Sequence, residues 1–352
     1  MIESPGTAEL FTAGRGYRAV RIPAIAAPGP DRLVVVAVGR RRISDWGPSD
    51  LLIRRSDDGG RTWASTERLV RGWGRTVDNP TLVVDRTGAL HLLYQVGYRR
   101  LLHRRSTDGG RTFTPPTDLT AVLTSLPERE GFVPRRFAPG PGSGALLPSG
   151  RLVIPVWASS AHGRRHRPSA SLTIVSDDDG MTWSAGSYAA FPGGQVRNPS
   201  EAAITTLPDG GALLGIRQKG DRRRVFARSA DGATWSEPWF APELFEPVCH
   251  AALATSDGVV FFANPDSRDS ARPRLRDGKA VRENLTLVRS ADGGATWGDA
   301  VVVDPGPAGY AALAAADGDL HLVYERGELP RAALWPTAIA YRRIPLGPGP
   351  GR

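Results

Sequence analysis

One eight-residue motif, S-x-D-x-G-x-T-aromatic, recurs along this chain and constrains its fold more than any other feature. The full copies are Ser56 to Trp63, Ser106 to Phe113, Ser176 to Trp183 and Ser290 to Trp297, and a contracted copy runs from Ser229 to Trp235. Each copy follows a strand-like run. Its Asp and Gly are typical of a hairpin turn, because Asp caps backbone amides and Gly adopts a positive φ. A single copy would indicate only a turn, but the recurrence indicates a repeat protein.

A second repeat, independent of this motif, consists of six apolar strand-like segments that each follow a turn. Their first apolar residues are separated by 57, 62, 61, 47 and 60 residues, and they are Leu33, Leu90, Leu152, Leu213, Val260 and Leu320. Each interval leaves room for about four short strands. The two repeats together predict an all-β fold, a six-bladed β-propeller of four-stranded antiparallel blades in which the Asp motifs form turns.

The last of the six units is too short to supply all of its strands. We therefore expect the N-terminal segment around Ala8 to Phe11 to add the outer strand of the last blade, which would remove a free sheet edge. Because no linker rich in Pro, Gly and Ser divides the chain, residues 1–352 are expected to form one domain, with a disordered tail at 345–352.

The formal net charge is +9, and nearly all of the positive charge comes from arginine. Nucleic-acid binding is one interpretation of this charge, but the arginines are scattered along the chain and accompany no DNA-binding or RNA-binding motif. A solvated, arginine-rich surface is the better explanation, and an anionic small substrate would also suit the charge. No nucleic-acid partner is therefore expected.

Other features of the sequence limit the cofactors and the location. The single cysteine, Cys249, permits no internal disulfide and no cysteine-based metal site, and the six histidines show no metal-ligand spacing. Neither a metal nor another cofactor is expected. The first residues do not resemble a signal peptide, and no apolar run of about 18 residues occurs. These features predict a cytoplasmic protein without a membrane partner, and they leave the oligomeric state open.

The strand order separates the polar residues of interest from the Asp motifs. In an up-and-down meander, the starts of first and third strands and the ends of second strands lie on one face of the disc, whereas the Asp motifs lie on the other. The residues expected on the face opposite the motifs are Arg21, Arg40, Asp45, Asn79, Glu201, Arg217, Arg282, Tyr310 and Glu325.

Two groups among these residues suggest chemistry. Arg21, Arg217 and Arg282 come from three different blades, and converging guanidinium groups favour a carboxylate or a phosphate. A chain so rich in arginine also brings several arginines to any surface by chance. Tyr310 and Glu201 both open innermost strands, and a tyrosine within hydrogen-bond reach of a carboxylate forms a nucleophile-base pair. Taken singly, each of the two would be an ordinary rim residue.

Together with their spacing, these residues resemble the Asp-box exo-sialidases of glycoside hydrolase family 33, and the resemblance extends from Tyr17 to Glu325. Any single matching feature is weak, but their order and spacing are specific. The features are the Arg-Ile-Pro sequence at Arg21, an aspartate ahead of the first motif at Asp45, Glu201 six residues before Leu207 and Arg217 ten residues after it, Arg282 eight residues before Ser290, Tyr310 after the last motif, and Glu325 at the end of the following strand.

The resemblance implies an exo-α-sialidase that hydrolyses terminal sialic (nonulosonic) acid from α-glycosides, with retention through a tyrosyl-linked intermediate. The implied substrate is a sialylated glycan or a small sialoside. A neutral tyrosine suits this substrate, because the carboxylate of sialic acid would repel a carboxylate nucleophile. The implied roles are nucleophile for Tyr310, its base for Glu201, acid and then base for Asp45, carboxylate binding for Arg21, Arg217 and Arg282, support of Arg21 for Glu325, and the arginine beside the acid for Arg40.

Two other functions remain open. One is a glycosidase of the same fold that prefers another nonulosonic acid or transfers it to a sugar acceptor. The other is a non-catalytic Asp-box propeller that binds acidic glycans, although the complete set of catalytic residues favours an enzyme. Cys249 and His250 are not expected to form a nucleophile-base pair, because adjacent strand residues point to opposite faces.

Overall fold

The computed structural model describes residues 6–126, 131–193, 195–270, 281–329 and 334–347. Within these ranges the chain is almost entirely β-structure, with one short helix, α1 (Thr120–Thr124). The strands are β1 (Ala8–Thr12), β2 (Ala19–Gly29), β3 (Arg32–Arg40), β4 (Ser49–Ser56), β5 (Glu67–Val70), β6 (Val77–Val84), β7 (Leu90–Val96), β8 (Arg100–Ser106), β9 (Thr117–Asp118), β10 (Arg136–Pro139), β11 (Gly142–Ser143), β12 (Ala145–Leu146), β13 (Leu152–Ser159), β14 (Ser169–Ser176), β15 (Ser184–Ala190), β16 (Ala202–Thr206), β17 (Ala212–Ile216), β18 (Arg223–Ser229), β19 (Trp239–Phe245), β20 (Ala252–Ser256), β21 (Val259–Pro265), β22 (Glu283–Ser290), β23 (Gly298–Ala316), β24 (Asp319–Glu328) and β25 (Trp335–Pro345).

These strands are arranged mainly as antiparallel meanders, in which consecutive strands lie side by side. Among the described residues, four sheets have four or five strands, in the orders β2-β3-β4-β5, β11-β6-β7-β8-β9, β10-β13-β14-β15 and β16-β17-β18-β19. A further sheet has seven strands in the order β1-β25-β24-β23-β22-β21-β20. The all-β, propeller-like arrangement that the sequence predicted is confirmed.

Strand β23 is the longest strand and changes its partner along its length. Its first half pairs with β22 as far as Pro307, which lies opposite Glu283. Its second half pairs with β24 from Ala308 onward, which lies opposite Arg326. Tyr310 therefore lies close to the point at which the strand leaves one set of partners and joins the next.

The N-terminal strand β1 pairs antiparallel with β25, with Ala8 opposite Tyr341 and Thr12 opposite Ala338. This is the segment that the sequence analysis expected at the edge of the last unit. Of the tail at 345–352, residues 348–352 lie outside the described residues. None of the helical structure in the described ranges is long and apolar enough to cross a membrane.

The core consists of apolar layers between neighbouring sheets. Val34, Val36 and Val38 of β3 pack in one cluster with Leu82 of β6 and Leu92 of β7, and all five are at most 1% exposed. β-branched side chains suit a pleated surface that is buried in this way. Each such burial contributes about 1.5 to 3 kcal/mol, so these layers hold the sheets together.

The first Asp motif shows how each turn is built and what it packs against. Ser56 Oγ accepts from the Gly60 N–H at 2.9 Å, and Asp58 accepts from the Thr62 N–H at 2.8 Å and from its hydroxyl at 2.6 Å. Gly60 has a φ of 82°, and a Cβ there would lie 1.9 Å from Oη of Tyr341. The glycine therefore permits the close approach of this turn to Tyr341 of β25 in the seven-stranded sheet.

The length of the β3–β4 pair separates this turn from the polar residues at the opposite end of the two strands. Leu33 lies opposite Ser56 at one end of the pair, and Arg40 lies opposite Ser49 at the other end. Eight residues of strand span about 25 Å. The Asp motif and Arg40 thus occupy opposite ends of the same pair of strands.

Candidate active site

The centre of the candidate site is a hydrogen-bonded group of three side chains. Glu201 directly precedes β16 and Arg217 directly follows β17, and the Arg217 N–H donates to the Glu201 carbonyl at 2.9 Å. The Tyr310 hydroxyl donates to the Glu201 carboxylate, 2.7 Å from Oε2 and 2.9 Å from Oε1. Nη1 of Arg217 donates to Tyr310 Oη at 2.5 Å and also to the Glu201 carboxylate. The antiparallel pairing of β16 and β17 therefore places a base and a cation beside the phenol.

Three arginines surround the ring of Tyr310. The guanidinium carbons of Arg21, Arg217 and Arg282 lie 5.2, 5.8 and 5.3 Å from the ring centroid. Arg21 belongs to β2, Arg217 follows β17 and Arg282 precedes β22, so residues far apart in sequence converge. A cluster of this kind can hold a carboxylate or a phosphate through charge-assisted hydrogen bonds.

Glu325, at 0% exposure, anchors one side of this cluster. Its carboxylate accepts from Nε of Arg21 at 3.0 Å, from the Ile22 N–H at 3.0 Å and from the Tyr310 N–H at 3.2 Å. A Cβ at Gly309 would lie 2.3 Å from Oε2 of Glu325, so glycine is required there. One buried carboxylate thus fixes both an arginine and the backbone of the tyrosine.

Arg282 is held from another direction. Its Nη2 donates to the Val248 carbonyl at 2.7 Å. Val248 has a φ of 61°, which is an outlier for a β-branched residue. The carbonyl that holds Arg282 is therefore presented by a strained part of the backbone.

Asp45 lies on the loop between β3 and β4, and 47% of its side chain is exposed. Arg40 Nη1 donates to Asp45 Oδ1 at 2.7 Å, and Nη1 of Arg21 lies 3.9 Å from the same oxygen. Arg40 is buried, and its Nη2 donates to Asp78 at 2.7 Å. Arg21 thus lies beside both Asp45 and the Tyr310 ring.

The surroundings shift the pKa of each titratable group in the centre. Burial raises the pKa of Tyr310 above its usual value, although Arg217 and the other arginines act against this. Burial also raises the pKa of Glu201, but Arg217, His250 and the hydrogen bond from Tyr310 together outweigh burial, and the net pKa is lowered. For Asp45, Arg40 and Arg21 outweigh burial and hold the pKa well below its usual range. The phenol is therefore neutral near pH 7, and both carboxyl groups are ionised.

The eight residues to which the sequence analysis assigned roles lie in this one region, but it missed Asp78. Asp78 is fully buried and bonded to Arg40, whereas the sequence analysis placed its neighbour Asn79 on this face. Both residues are buried, and Asn79 has a φ of 55°. The register of β6 against β7 shifts between Asp78 and Thr81. Such an irregularity changes which side chain points inward, and strand alternation alone does not reveal it.

An aromatic group beside Asp45 was also missed. Trp46 lies against Tyr98 and His166 with ring centroids 4.8 Å apart in both pairs, and Tyr98 lies 5.7 Å from Trp157. A cavity of about 60 Å³ is lined by Trp157, His166 and Glu201 among others. The only signal in the sequence was Trp46 directly after Asp45, since the other rings come from distant segments.

Cys249 and His250 play no nucleophilic part in this arrangement. Burial raises the pKa of the Cys249 thiol to about 11 and lowers the pKa of His250 to about 3, so both are neutral at pH 7. The His250 ring packs 5.6 Å from that of Tyr310. Among the described residues, no group of three or more His, Cys, Asp or Glu side chains is placed to hold a metal ion.

The arrangement of sheets, turns and site agrees with known proteins of one class, the proteins built from BNR repeats. Residues 31–322 match the model of the BNR repeat-like domain. The chain is 30% identical to a sialidase of Micromonospora viridifaciens over 92% of this chain and 53% of that protein. It is also 30% identical to an exo-alpha-sialidase of Arthroderma benhamiae over 75% of this chain and 69% of that protein. The chain belongs to the BNR-repeat sialidase family.

A solved structure agrees with this fold. The sialidase of Trypanosoma rangeli in complex with 2,3-difluorosialic acid, described as a covalent intermediate, superposes with a TM-score of 0.73 at 20% identity, over 97% of this chain and 58% of that chain. At this identity the likeness concerns the fold. The present chain spans about half of the Micromonospora relative.

Proposed function

We propose that this protein is an exo-α-sialidase that releases terminal sialic acid, or a related nonulosonic acid, from α-glycosides. The observation that carries the proposal is the Tyr310 hydroxyl, 2.7 Å from Glu201 Oε2, inside a ring of three arginines. The arginines would bind the substrate carboxylate, and the neutral phenol would face the anomeric carbon without charge repulsion. The names of the relatives support the same activity.

In the first step, Tyr310 Oη attacks the anomeric carbon and its proton passes to Glu201. The bond from the anomeric carbon to the glycosidic oxygen breaks, and Asp45 donates a proton to that oxygen. Glu201 suits the role of base because Arg217 keeps it ionised although it is buried. The product of this step is the aglycone alcohol and a sugar linked to Tyr310.

In the second step, Asp45 takes a proton from a water molecule, which attacks the same carbon. The bond to Tyr310 breaks, and the tyrosine recovers its proton from Glu201. Two displacements at one carbon give net retention. The trypanosomal structure described as a covalent intermediate supports such a pathway in a relative.

Asp45 needs a proton for the first step, although Arg40 and Arg21 lower its pKa. A substrate carboxylate on Arg21 would offset part of that positive charge, and the substrate would also exclude water from the half-exposed aspartate. Both effects raise the pKa of a carboxyl group. Substrate binding would thus prepare Asp45 to act as the acid.

We also propose that the sheets form six blades within one domain. The change of partner in β23 between Pro307 and Ala308 supports this count, because it divides the seven-stranded sheet into two groups. The pairing of β1 with β25 would then complete the last blade.

Proton NMR of the first-formed product tests the proposed reaction. Retention predicts that the α-anomer of the free sugar appears first and then mutarotates. Early appearance of the β-anomer would contradict the double displacement. Absence of hydrolysis of a fluorogenic sialoside from acidic to neutral pH, on several nonulosonic acids, would favour a glycan-binding protein instead.

A further inference from the structure

A buried ion pair lies behind the segment that holds Arg282. Arg224 Nη1 donates to Glu246 Oε2 at 2.7 Å, and both side chains are fully buried. Arg224 also donates to the Cys249 carbonyl at 2.9 Å and to the Gly215 carbonyl at 3.3 Å. Buried ion pairs can often be replaced by apolar side chains without loss of stability, so the presence of this pair is poorly explained by stability alone.

The pair acts on two consecutive peptide groups, because Glu246 bonds to the peptide between Val248 and Cys249, and Arg224 holds Glu246 and bonds to the carbonyl of Cys249 in the next peptide. Oε1 of Glu246 accepts from the Cys249 N–H at 3.0 Å. The carbonyl of that same peptide, which belongs to Val248, accepts from Arg282 Nη2 at 2.7 Å. Because a trans peptide group is planar and its N–H and C=O point in opposite directions, a bond that fixes the N–H also fixes the direction of the C=O.

The backbone at this peptide does not adopt its conformation by local preference. Val248 has a φ of 61°, and a β-branched residue keeps such a conformation only where surrounding contacts enforce it. Two contacts of this kind are present, because the Cys249 N–H donates to Glu246 and Arg224 donates to the Cys249 carbonyl.

We propose that Arg224 and Glu246 are positioning residues for Arg282. They hold the Val248–Cys249 peptide in the orientation in which its carbonyl fixes the guanidinium group 5.3 Å from the Tyr310 ring centroid. The inference rests on the proposed function, in which Arg282 binds the substrate carboxylate. Without the pair, Arg282 would keep its charge but lose its fixed direction.

A double-variant cycle tests this inference. Arg224→Met combined with Glu246→Leu removes both charges and leaves no unpaired buried charge. We expect kcat/KM for a fluorogenic sialoside to fall about 10- to 100-fold, mainly through KM, because a misplaced arginine binds the carboxylate less well in ground state and transition state alike. In an Arg282→Lys background the same double change should cost less than about threefold, since residues that act through one another are not additive. If the double change lowers kcat/KM by the same factor in the Arg282→Lys background as in the wild type, the proposal is wrong.

A matched control comes from a buried carboxylate in a similar setting. Asp85 accepts from Arg105 at 3.1 Å and from the Ala89 N–H at 2.9 Å, but it lies outside the candidate site. Glu246→Gln should lower both Tm and kcat/KM, whereas Asp85→Asn should lower Tm alone. Equal kcat/KM in the two variants at a similar loss of Tm would contradict a positioning role.

A crystal structure of the double variant supplies a readout that needs no activity. We expect the bond from Arg282 Nη2 to the Val248 carbonyl to be lost or lengthened beyond 3.5 Å, the usual limit for such a bond. If the bond persists at the original 2.7 Å, the proposal fails even when the enzyme is active. If the wild-type protein has no activity but the double variant has lost the bond from Arg282 to the Val248 carbonyl, the proposed function fails and the structural inference holds. If the double variant does not fold, Glu246→Gln replaces it in the kinetic measurement and in the crystal structure.

Discussion

The Asp motifs and the candidate active site both depend on carboxylates, but they use them differently. In the first motif, Asp58 receives its hydrogen bonds from Thr62, four residues away. In the site, Glu325 receives its hydrogen bonds from Arg21, 304 residues away. A local network needs only a short sequence and stabilises one turn, whereas the long-range network exists only in the complete fold and gathers charge in one place.

The donors also differ between the two regions. The carboxylate of Asp58 accepts hydrogen bonds from a hydroxyl and an amide group, which add no positive charge to the turn. The site carboxylates bind arginines, and three guanidinium groups share the space around one phenol ring. Three converging guanidinium groups beside a neutral nucleophile are suited to an anionic substrate. The comparison therefore predicts that changes in the site affect activity and that changes in the motifs affect stability.

The largest effect is expected for Tyr310→Phe. Loss of the nucleophile should lower kcat/KM by about 10³-fold or more, with little change in Tm. The matched control is Tyr341→Phe on the motif side, where the hydroxyl lies 2.9 Å from His321. The control should lower Tm and leave kcat/KM nearly unchanged. A Tyr310→Phe variant with wild-type turnover would remove the basis of the comparison.

The next largest effect is expected for the arginines around Tyr310. Lysine at position 21, 217 or 282 cannot reproduce charge-assisted, potentially bidentate hydrogen bonds, so each change should cost about 30- to 1,000-fold in kcat/KM. Arg54→Lys and Arg104→Lys, next to the motifs, are the controls and should change activity little. Steady-state kinetics and thermal melts of all five variants would sharpen the comparison. Similar behaviour of the two groups would contradict a shared carboxylate site.

The effect of Asp45→Asn depends on the substrate, and it is smaller than that of the arginine variants only where the leaving group needs no proton. General acid catalysis contributes about 10²- to 10⁴-fold where the leaving group needs a proton. The loss of kcat/KM should therefore be large for sialyllactose and at least about tenfold smaller for an aryl sialoside with an acidic phenol. An equal loss for both substrates would contradict the role of Asp45 as the acid.

The smallest effect on activity is expected in the motifs. Hydrogen bonds from Thr62 lower the pKa of Asp58 to about 2. A carboxyl group whose pKa is lower in the folded state stabilises the fold above its unfolded pKa of about 4, and this contribution is lost as the pH falls toward 2. Asp58→Ala should lower Tm by about 2 °C at pH 7, by less at pH 2.5, and leave kcat/KM unchanged. A Tm difference that does not shrink at low pH would contradict this account.

The difference between the two regions also determines what could be predicted from the sequence. The motif turns and the strands that precede them follow from local residue types, so the propeller-like fold could be predicted. Glu201, Arg217 and Tyr310 could be placed on one face because strand ends follow from the meander. Their roles came from a resemblance, because spacing alone does not show that the Tyr310 hydroxyl meets Glu201.

Long-range or irregular features could not be predicted. Asp78 was missed because a register shift turns it inward beside Arg40. The pair of Arg224 and Glu246 is separated by 22 residues and acts through a peptide in an unusual conformation. Neither feature leaves a periodic trace in the sequence, because each depends on backbone geometry that is set by contacts elsewhere in the fold.

The most direct test of the account is to trap the sugar on the nucleophile. The chain would be incubated with 2,3-difluorosialic acid, the compound in the trypanosomal covalent intermediate, and measured by intact-protein mass spectrometry followed by peptide mapping. The account predicts one added fluorosialosyl group, located on Tyr310 and absent from Tyr310→Phe. A fully active protein that forms no adduct, or forms it on a residue other than Tyr310, would contradict the account.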